Sequence, residues 1–246
     1  MRPAAERPRV LVAAGLDPSG GAGLLADIGA VLAAGGRPAG VATALTAQGR
    51  RFAISAVAAG VLRRQLDAVL EVGRPAAVKL GMVPDRRTLG LVWARVARSA
   101  GPLLVDPVVR TSRGERLSTL GPGDYRRLAG PRVWIVPNVP ELGWLLGRPA
   151  PRSLDEVKVL ATSLLADGFG AVVVKGGHLT GAPVDLLVLR ERVVAFRGVR
   201  LARPKERRGT GCRFASTLAT RLALGDDEET AVRAARSAVR QYLVGG

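Results

Sequence analysis

A short glycine loop that ends in the only cysteine of the chain is the segment whose residue types point most directly to chemistry. It reads Gly209, Thr210, Gly211, Cys212 and stands just before a long helical pattern. Backbone N–H groups at a helix start converge and, with the helix dipole, bind an anion. We therefore predict that Gly209, Thr210 and Gly211 form an anion hole that stabilises charge on a phosphoryl group. The same field predicts thiolate character for Cys212, and the alternative is a small buried cysteine at a helix start.

Lys175 is the second candidate, because it ends an apolar run and precedes two glycines. Residues 171–174 are all apolar, and residues 176 and 177 are glycine. A lysine at the end of a buried strand needs an anion, since burying an unpaired ammonium is costly. The alternative is an ordinary lysine that emerges at the sheet edge. We expect Lys175 and the loop of Cys212 to meet around the phosphates of one ligand.

Oxygen-bearing side chains follow two further apolar runs. Asp106 comes directly after residues 103–105, and Asn138 and Glu141 follow residues 133–136. Mg²⁺ prefers oxygen ligands and keeps waters beside substrate phosphates, so these three residues are candidate metal ligands. The alternative for the last two is structural, with Asn138 capping a helix and Glu141 as a favourable acid in its first turn.

Another glycine loop, at residues 15–23, also precedes a predicted helix, but it matches neither of two common nucleotide-binding motifs. A dinucleotide-binding fold needs an acidic residue about 20 positions further on, and none occurs between Asp27 and Asp67. A Walker loop needs a lysine after a glycine, and no lysine of this chain follows one. We expect any nucleotide to bind in another way.

The elements that must position these residues alternate between strands and helices. This alternation predicts a parallel sheet with helices on both faces, in one domain over residues 1–246. Ligands bind such sheets at the carboxyl ends of the strands, where the candidate residues stand. The predicted strands are residues 10–14, 41–45, 76–80, 103–105, 133–136, 171–174, 185–189 and 193–196, and the helices are residues 23–34, 61–72, 86–99, 154–166, 212–224 and 228–243.

The composition of the chain limits the binding partners and the cellular location that we expect. The formal net charge of +17 raises the question of nucleic acid, but aromatic residues make up only 4%, too few for base stacking, so we expect no nucleic-acid partner. One cysteine and one histidine exclude an internal disulfide and a Cys/His zinc cluster, and the lone cysteine favours a cytoplasmic protein. No apolar stretch approaches a membrane span, so no membrane partner is expected.

Seven segments, taken in order, resemble the hydroxymethylpyrimidine/phosphomethylpyrimidine kinases of thiamine biosynthesis, a family of the ribokinase-like superfamily. Any one segment is a weak signal, but seven in order are specific. They are residues 14–23 with 26–27, then 44–48, 79–82, 106–108, 137–141, 174–179 and 209–212.

The resemblance implies a three-layer α/β/α ribokinase-like fold with a mostly parallel, doubly wound sheet. It implies transfer of the γ-phosphoryl group of ATP, with Mg²⁺, to the hydroxymethyl group of 4-amino-5-hydroxymethyl-2-methylpyrimidine and then to its monophosphate. It also suggests a homodimer. The substrate-binding residues that it implies are Asp17, Gly21, Gln48, Met82 and Val108, with Gln48 on the aminopyrimidine and Met82 and Val108 flanking the ring.

The resemblance also implies roles for the remaining candidate residues, which would bind the nucleotide phosphates and Mg²⁺ or act as the base. Lys175 would neutralise nucleotide phosphate, and residues 209–211 would form the anion hole. Cys212 occupies the position of the proposed base. Asp106, Asn138 and Glu141 would organise Mg²⁺ and its waters.

Arginines replace residues that the family commonly carries at three places. Arg50 and Arg51 follow Gly49 where Asn-Thr is usual, Arg110 and Arg113 stand in the turn after residues 106–108, and Arg207-Arg208 precedes Gly209 where a histidine is common. Guanidinium groups suit phosphate, so Arg50, Arg110 or Arg113 could bind a phosphate already on the substrate and favour the second phosphorylation. The alternative is that these arginines have no function and only reflect the high arginine content of the chain.

Two other functions stay open at this point. A pyridoxal kinase has the same superfamily fold and phosphorylates a similar hydroxymethyl group on a pyridine. The other is a non-catalytic, pyrimidine-sensing domain that has kept the pocket and lost turnover.

Overall fold

Nine strands form one sheet in the part of the chain that the structure, a computed structural model, describes: residues 7–49, 51–111, 113–202 and 207–245. The strands are β1 (Arg9–Leu16), β2 (Arg37–Gln48), β3 (Phe52–Ala56), β4 (Ala77–Leu80), β5 (Leu103–Val105), β6 (Val133–Ile135), β7 (Ala171–Val174), β8 (Val184–Val188) and β9 (Val193–Arg197). The helices in these ranges are α1 (Gly23–Ala33), α2 (Ala59–Glu71), α3 (Arg86–Val96), α4 (Pro122–Arg126), α5 (Val139–Leu145), α6 (Leu154–Ala166), α7 (Thr210–Ala223) and α8 (Glu228–Val244).

The sheet has a parallel centre and antiparallel edges. Its strand order is β3-β2-β1-β4-β5-β6-β7-β8-β9, and the strands from β2 across to β7 run parallel. β3 pairs antiparallel with β2, and β8 pairs antiparallel with β7 and β9. The chain leaves β1 for β2 on one side and later returns to β4 on the other. Such a reversal of winding opens a crevice at the carboxyl ends of the strands.

Alternate side chains of the central strands enter two separate apolar clusters on opposite faces of the sheet. On β1, Leu11 and Ala13 pack in a cluster with residues of α2, α3, α5 and α6. Val10 and Val12 pack in another with residues of α1, α7 and α8. Burial on both faces explains why the parallel strands are continuous apolar runs instead of alternating patterns.

The predicted strands and helices are all present, and three short elements, β3, α4 and α5, are not among them, although the capping alternative for Asn138 implied a helix at α5. β3 is largely exposed, and its apolar run, residues 52–54, is short and is interrupted by Ser55, so its strand signal is weaker than that of the buried strands. α4 has five residues, too few for a helical period to show. β2 is also longer than expected and begins at Arg37.

Among the described helices, none combines the length and the apolar character that crossing a bilayer requires.

Candidate active site

A cavity of about 590 Å³ lies at the carboxyl ends of the parallel strands. Lys175 and Cys212 both line it, so the expectation that these two distant segments meet is confirmed. The sequence-predicted residues in its wall are Gln48, Met82, Asp106, Val108, Arg110, Asn138, Glu141, Lys175, Gly209, Thr210, Gly211 and Cys212.

The loop before α7 depends on glycine. Gly209 adopts a left-handed conformation, with φ of 77°, and a Cβ there would lie 2.2 Å from the carbonyl oxygen of Gly21. Among the described residues, no side chain caps the start of α7. A Cβ on Gly211 would come within 3.2 Å of Lys175 Nζ. The lysine and the loop therefore face the same point.

Lys175 joins two carboxylates. Its Nζ lies 2.7 Å from Asp106 Oδ1 and 3.9 Å from Glu141 Oε2. Burial alone would lower the pKa of Lys175, but Asp106 and Glu141 outweigh it and raise that pKa. Burial raises the pKa of Glu141 to about 7, against the opposing charge of Lys175. The three groups form a charge cluster at the ends of β5, β6 and β7.

Asn138 and Glu141 form a reciprocal cap at the start of α5. The N–H of Glu141 donates to Asn138 Oδ1 at 2.8 Å, and the N–H of Asn138 donates to Glu141 Oε2 at 2.7 Å. The alternative predicted for this pair, a cap at the start of a helix, is therefore present in the structure. It does not remove the pair from the cavity, because both residues line it.

A buried ion pair beneath the cavity was not predicted. Lys79 Nζ, on β4, lies 2.9 and 2.8 Å from the two carboxylate oxygens of Asp27, on α1, and 3.8 Å from Asp106 Oδ2. Ser216 Oγ donates to Asp27 Oδ1 at 2.8 Å. The carboxylates overcome burial and raise the pKa of Lys79. A lysine inside the apolar run of residues 77–80 was the available signal, since it requires a buried carboxylate partner.

The predicted thiolate character of Cys212 is wrong. Burial raises the pKa of its thiol to about 11, and the carboxylates of Asp27 and Asp106 raise it further, against the charge of Lys79 and an N–H from Gly23. The helix start favours a thiolate, but loss of water around the sulfur has the larger effect. Cys212 is therefore a thiol at neutral pH.

An apolar wall and an amide form the other side of the cavity. Met82 and Val108 belong to a small apolar cluster with Ala44 and Leu117. Gln48, at the end of β2, donates from Nε2 to Thr46 Oγ1 at 3.2 Å.

Arg208, rather than the arginines predicted for a substrate phosphate, contacts this amide. Its Nη1 donates to Gln48 Oε1 at 2.8 Å, and it lines the cavity. Arg110 lies exposed at the rim and donates to the carbonyl oxygen of Gly114 at 3.0 Å. Arg113 is exposed and is not part of the cavity wall. Arg50 lies outside the described residues.

Asp17 and Gly21 lie behind Arg208 and not in the cavity wall. The buried carboxylate of Asp17 accepts hydrogen bonds from Arg208 and from Ser19. A Cβ on Gly21 would approach Arg208 Nη2 to 3.3 Å, so the missing side chain leaves room for the guanidinium. Both residues contact Arg208, whereas the resemblance implied that they bind the substrate.

A second cavity of about 590 Å³ adjoins the first one and was not predicted. The two share Asn138, Lys175, His178, Thr210 and Gly211. The arginines of the described ranges that line the second cavity are Arg197, Arg200, Arg233, Arg236 and Arg240. Their signal in the sequence is the helical spacing of Arg233, Arg236 and Arg240 along α8.

Sequence comparisons identify the family and relatives of this chain. The family model described as phosphomethylpyrimidine kinase matches residues 17–245. The chain is 36% identical over 230 residues to the thiamine biosynthesis multifunctional protein of Corynebacterium glutamicum, covering 92% of this chain but only 30% of that protein. It is 34% identical over 243 residues to the hydroxymethylpyrimidine/phosphomethylpyrimidine kinase of Streptomyces coelicolor, covering 97% of this chain and 90% of that one.

Solved structures share the fold. A phosphomethylpyrimidine kinase from Clostridium difficile is 30% identical with a TM-score of 0.80, covering 96% of this chain and 99% of that one. The pyridoxal kinase of Staphylococcus aureus in complex with AMP-PCP is 25% identical with a TM-score of 0.87, covering 99% and 90%. Because the family model spans nearly the whole sequence, the chain belongs to the phosphomethylpyrimidine kinase family.

Proposed function

We propose that this protein transfers the γ-phosphoryl group of ATP to 4-amino-5-hydroxymethyl-2-methylpyrimidine and to its monophosphate, in thiamine biosynthesis. One observation carries the proposal: two adjoining cavities meet at Lys175 and at the loop of Thr210 and Gly211. A phosphoryl group held at this junction can pass from a donor in one cavity to an acceptor in the other. The name of the Streptomyces relative supports the same reaction.

The two cavities suit different ligands. In the first one, Met82 and Val108 offer apolar contact to a ring, and the Gln48 amide has a donor and an acceptor side by side. In the second one, five arginines suit the charge of a nucleotide. The AMP-PCP complex of the pyridoxal kinase supports nucleotide binding by this fold.

Mg²⁺ fits the oxygen donors of the junction. No group of three or more His, Cys, Asp or Glu side chains is spaced to hold a metal within the described ranges. Mg²⁺ does not need one, because substrate phosphates and waters complete its shell around one or two carboxylates. Asp106 Oδ2 is buried and has no hydrogen-bond partner among the described residues. Asp106 and Glu141 would hold the ion, and Asn138 would orient Glu141; when bound, the ion neutralises charge on the β- and γ-phosphates.

This chain's own groups stabilise the transferring phosphoryl and position the acceptor. Lys175 and the N–H groups at the start of α7 face the charge that develops on the γ-phosphate oxygens. Cys212 lies beside them, and only the small thiolate fraction of its side chain can take the hydroxyl proton of the alcohol.

The protonation state of Cys212 supports the monophosphate as the preferred acceptor. A thiol with a pKa of about 11 is a poor proton acceptor at neutral pH. The alcohol must lose a proton during attack, whereas a phosphate monoester, with a second pKa of about 6, is already anionic. Cys212→Ala should therefore slow phosphorylation of the alcohol by much less than the about 10²–10⁴-fold that a competent general base contributes, and should leave phosphorylation of the monophosphate nearly unchanged.

The remaining proposals concern organisation. We propose a single three-layer α/β/α kinase domain, a homodimer as the family resemblance implies, and a cytoplasmic location consistent with one unpaired cysteine. We propose no nucleic-acid partner, because the arginines of the second cavity serve a small anion.

One assay separates the candidate functions. ADP release is measured with Mg²⁺-ATP and, in turn, the pyrimidine alcohol, its monophosphate, pyridoxal and no acceptor. We expect the largest kcat/KM for the monophosphate and the smallest for pyridoxal. A preference for pyridoxal, which the fold similarity to pyridoxal kinase keeps open, would reject the pyrimidine assignment. No ADP with any acceptor, together with a thermal shift on adding the pyrimidine, would indicate a non-catalytic sensing domain.

A further inference from the structure

Arg208 links three segments that are far apart in the sequence. Its Nη1 donates to Gln48 Oε1 at 2.8 Å, and its Nη2 donates to Ser19 Oγ at 3.0 Å and to Asp17 Oδ2. The side chain is only 23% exposed, and that of Asp17 is 2% exposed. The guanidinium thus lies between the cavity and a buried carboxylate.

We propose that Arg208 determines substrate specificity by fixing the orientation of the Gln48 amide toward the ring of the acceptor. The inference rests on the proposed function, because it assumes that Gln48 contacts the acceptor. Arg208 is a positioning residue in this proposal and acts through Gln48.

The chemistry of the two side chains allows one amide orientation. A guanidinium only donates hydrogen bonds, so the group of Gln48 that faces it must be the carbonyl oxygen. The NH₂ group then points to Thr46 Oγ1, which accepts one of its two hydrogens at 3.2 Å. One N–H and one oxygen lone pair remain for a ligand. Thr46 favours the same orientation, because its hydroxyl donates to the carbonyl oxygen of Leu16 at 3.1 Å and can only accept from the amide. In the absence of Arg208, this neutral hydrogen bond alone would hold the amide.

The guanidinium is itself held in place. Asp17 neutralises it, and Asp17 is in turn fixed by the N–H and the hydroxyl of Ser19, at 3.2 and 2.9 Å. The hydroxyl of Tyr242, on α8, donates to the carbonyl oxygen of Arg208 at 3.2 Å. Two of the anchors hold the side chain and one holds the backbone, so Arg208 can impose an orientation on Gln48.

A fixed amide selects a class of ring. Its free donor and acceptor match a heterocycle that carries a ring nitrogen beside an exocyclic amino group, in one order only. A ring that presents an oxygen substituent and no amino group loses one of the two bonds. Leaving a buried polar group unpaired discriminates more strongly than a change in apolar contact.

The test is a double-mutant cycle on the whole protein with the pyrimidine alcohol, its monophosphate and ATP. We expect Arg208→Met to raise KM for both pyrimidines about 10- to 100-fold, since a charge-assisted contact sets the amide, and to change KM for ATP by less than about 2-fold. In the Gln48→Ala background, where there is no amide to orient, Arg208→Met should add less than about 2-fold. Arg208→Lys should be intermediate, because a lysine is a point charge without the fork that spans Gln48 and Asp17.

Arg126→Met is the matched control. Arg126, like Arg208, pairs with an aspartate: it donates two hydrogen bonds to Asp167, and it lines neither cavity. It should leave all KM values unchanged, and thermal melting of each variant reports on folding.

Several outcomes would overturn the inference. Additive effects of Arg208→Met and Gln48→Ala would show that Arg208 does not act through the amide, and so would equal losses for the pyrimidines and ATP. A loss confined to the monophosphate would identify a direct phosphate contact instead. If the unmodified protein phosphorylates neither pyrimidine, the proposed function fails, independently of Arg208.

Discussion

Cys212 lies in the first turn of α7, near the buried pair of Lys79 and Asp27, and these surroundings decide its protonation state. The residue is only partly exposed, burial raises the pKa of its thiol, and the nearby charges partly cancel, because the lysine lowers the pKa whereas the carboxylates raise it. A reactive cysteine needs a net positive and partly exposed environment. Residue type and position at a helix start are therefore insufficient to predict a thiolate.

The reactivity of this thiol gives a direct check. Only the thiolate reacts with iodoacetamide, and a pKa of about 11 leaves a small thiolate fraction at pH 7. The alkylation rate should rise about tenfold per pH unit from pH 7 to pH 10. Because the chain has one cysteine, mass spectrometry of the labelled protein reports on Cys212 alone.

The same protein unfolded in urea is the control for this experiment. Its rate should level off above pH 9, as expected for an ordinary cysteine. A folded-state rate that levels off by pH 8 would support the thiolate and contradict the raised pKa.

At the scale of elements, the helix starts that border the cavity position its functional groups. The reciprocal cap of Asn138 and Glu141 satisfies two N–H groups of α5 and aims a carboxylate at Lys175. A cap elsewhere in the molecule, Ser153 at the start of α6, accepts from the N–H of Glu156 at 3.2 Å and borders neither cavity. Comparing the effects of removing these two caps distinguishes a cap that only stabilises the protein from one that also supports catalysis.

Asn138→Ala and Ser153→Ala should each lower the free energy of unfolding by about 0.5–2 kcal/mol, since each removes one helix cap. Urea denaturation measures this loss. Only Asn138→Ala should also reduce kcat, because Glu141 is released from its position beside Lys175. Equal kcat values for the two variants would show that the α5 cap is purely structural.

The loop before α7 depends on the absence of a side chain at Gly209. Gly209→Ala would strain a backbone with φ of 77° and force a Cβ to within 2.2 Å of the carbonyl oxygen of Gly21. We expect kcat to fall by about 10²–10³-fold, as for loss of a preorganised anion-hole donor.

Gly147→Ala is the control for the backbone conformation. Gly147 has φ of 64° and open space around its Cα. This variant should cost about 1–2 kcal/mol of stability with no loss of kcat. If Gly209→Ala behaves in the same way, the close approach of the two glycine loops has no part in catalysis.

At the scale of the whole molecule, the parallel sheet made much of the site predictable. Apolar runs and helical periods locate the strands, and parallel strands bring Asp106, Asn138 and Lys175 to one edge. Contacts that depend on tertiary structure were not predictable. Arg208 reaches Gln48 across 160 positions of sequence, and Lys79 reaches Asp27 across 52. Neither pair has a local pattern.

The net charge of +17 also has meaning only in the folded molecule. Along the sequence the arginines are dispersed, and they do not form a block. In the fold, α8 and the β8–β9 hairpin region bring several of them around the second cavity, next to Lys175. Arginines that are dispersed in the sequence are thus concentrated around one cavity in the fold, and their positive charge suits a triphosphate.

A crystal structure of the protein with a non-hydrolysable ATP analogue and the pyrimidine alcohol would show whether donor and acceptor occupy separate cavities on either side of Lys175. We expect the nucleotide in the arginine-lined cavity, its terminal phosphate between Lys175 and the N–H groups of residues 210–212, and the ring against Met82 and Val108. Both ligands in one cavity, or a terminal phosphate out of reach of Lys175 and the loop, would contradict this arrangement.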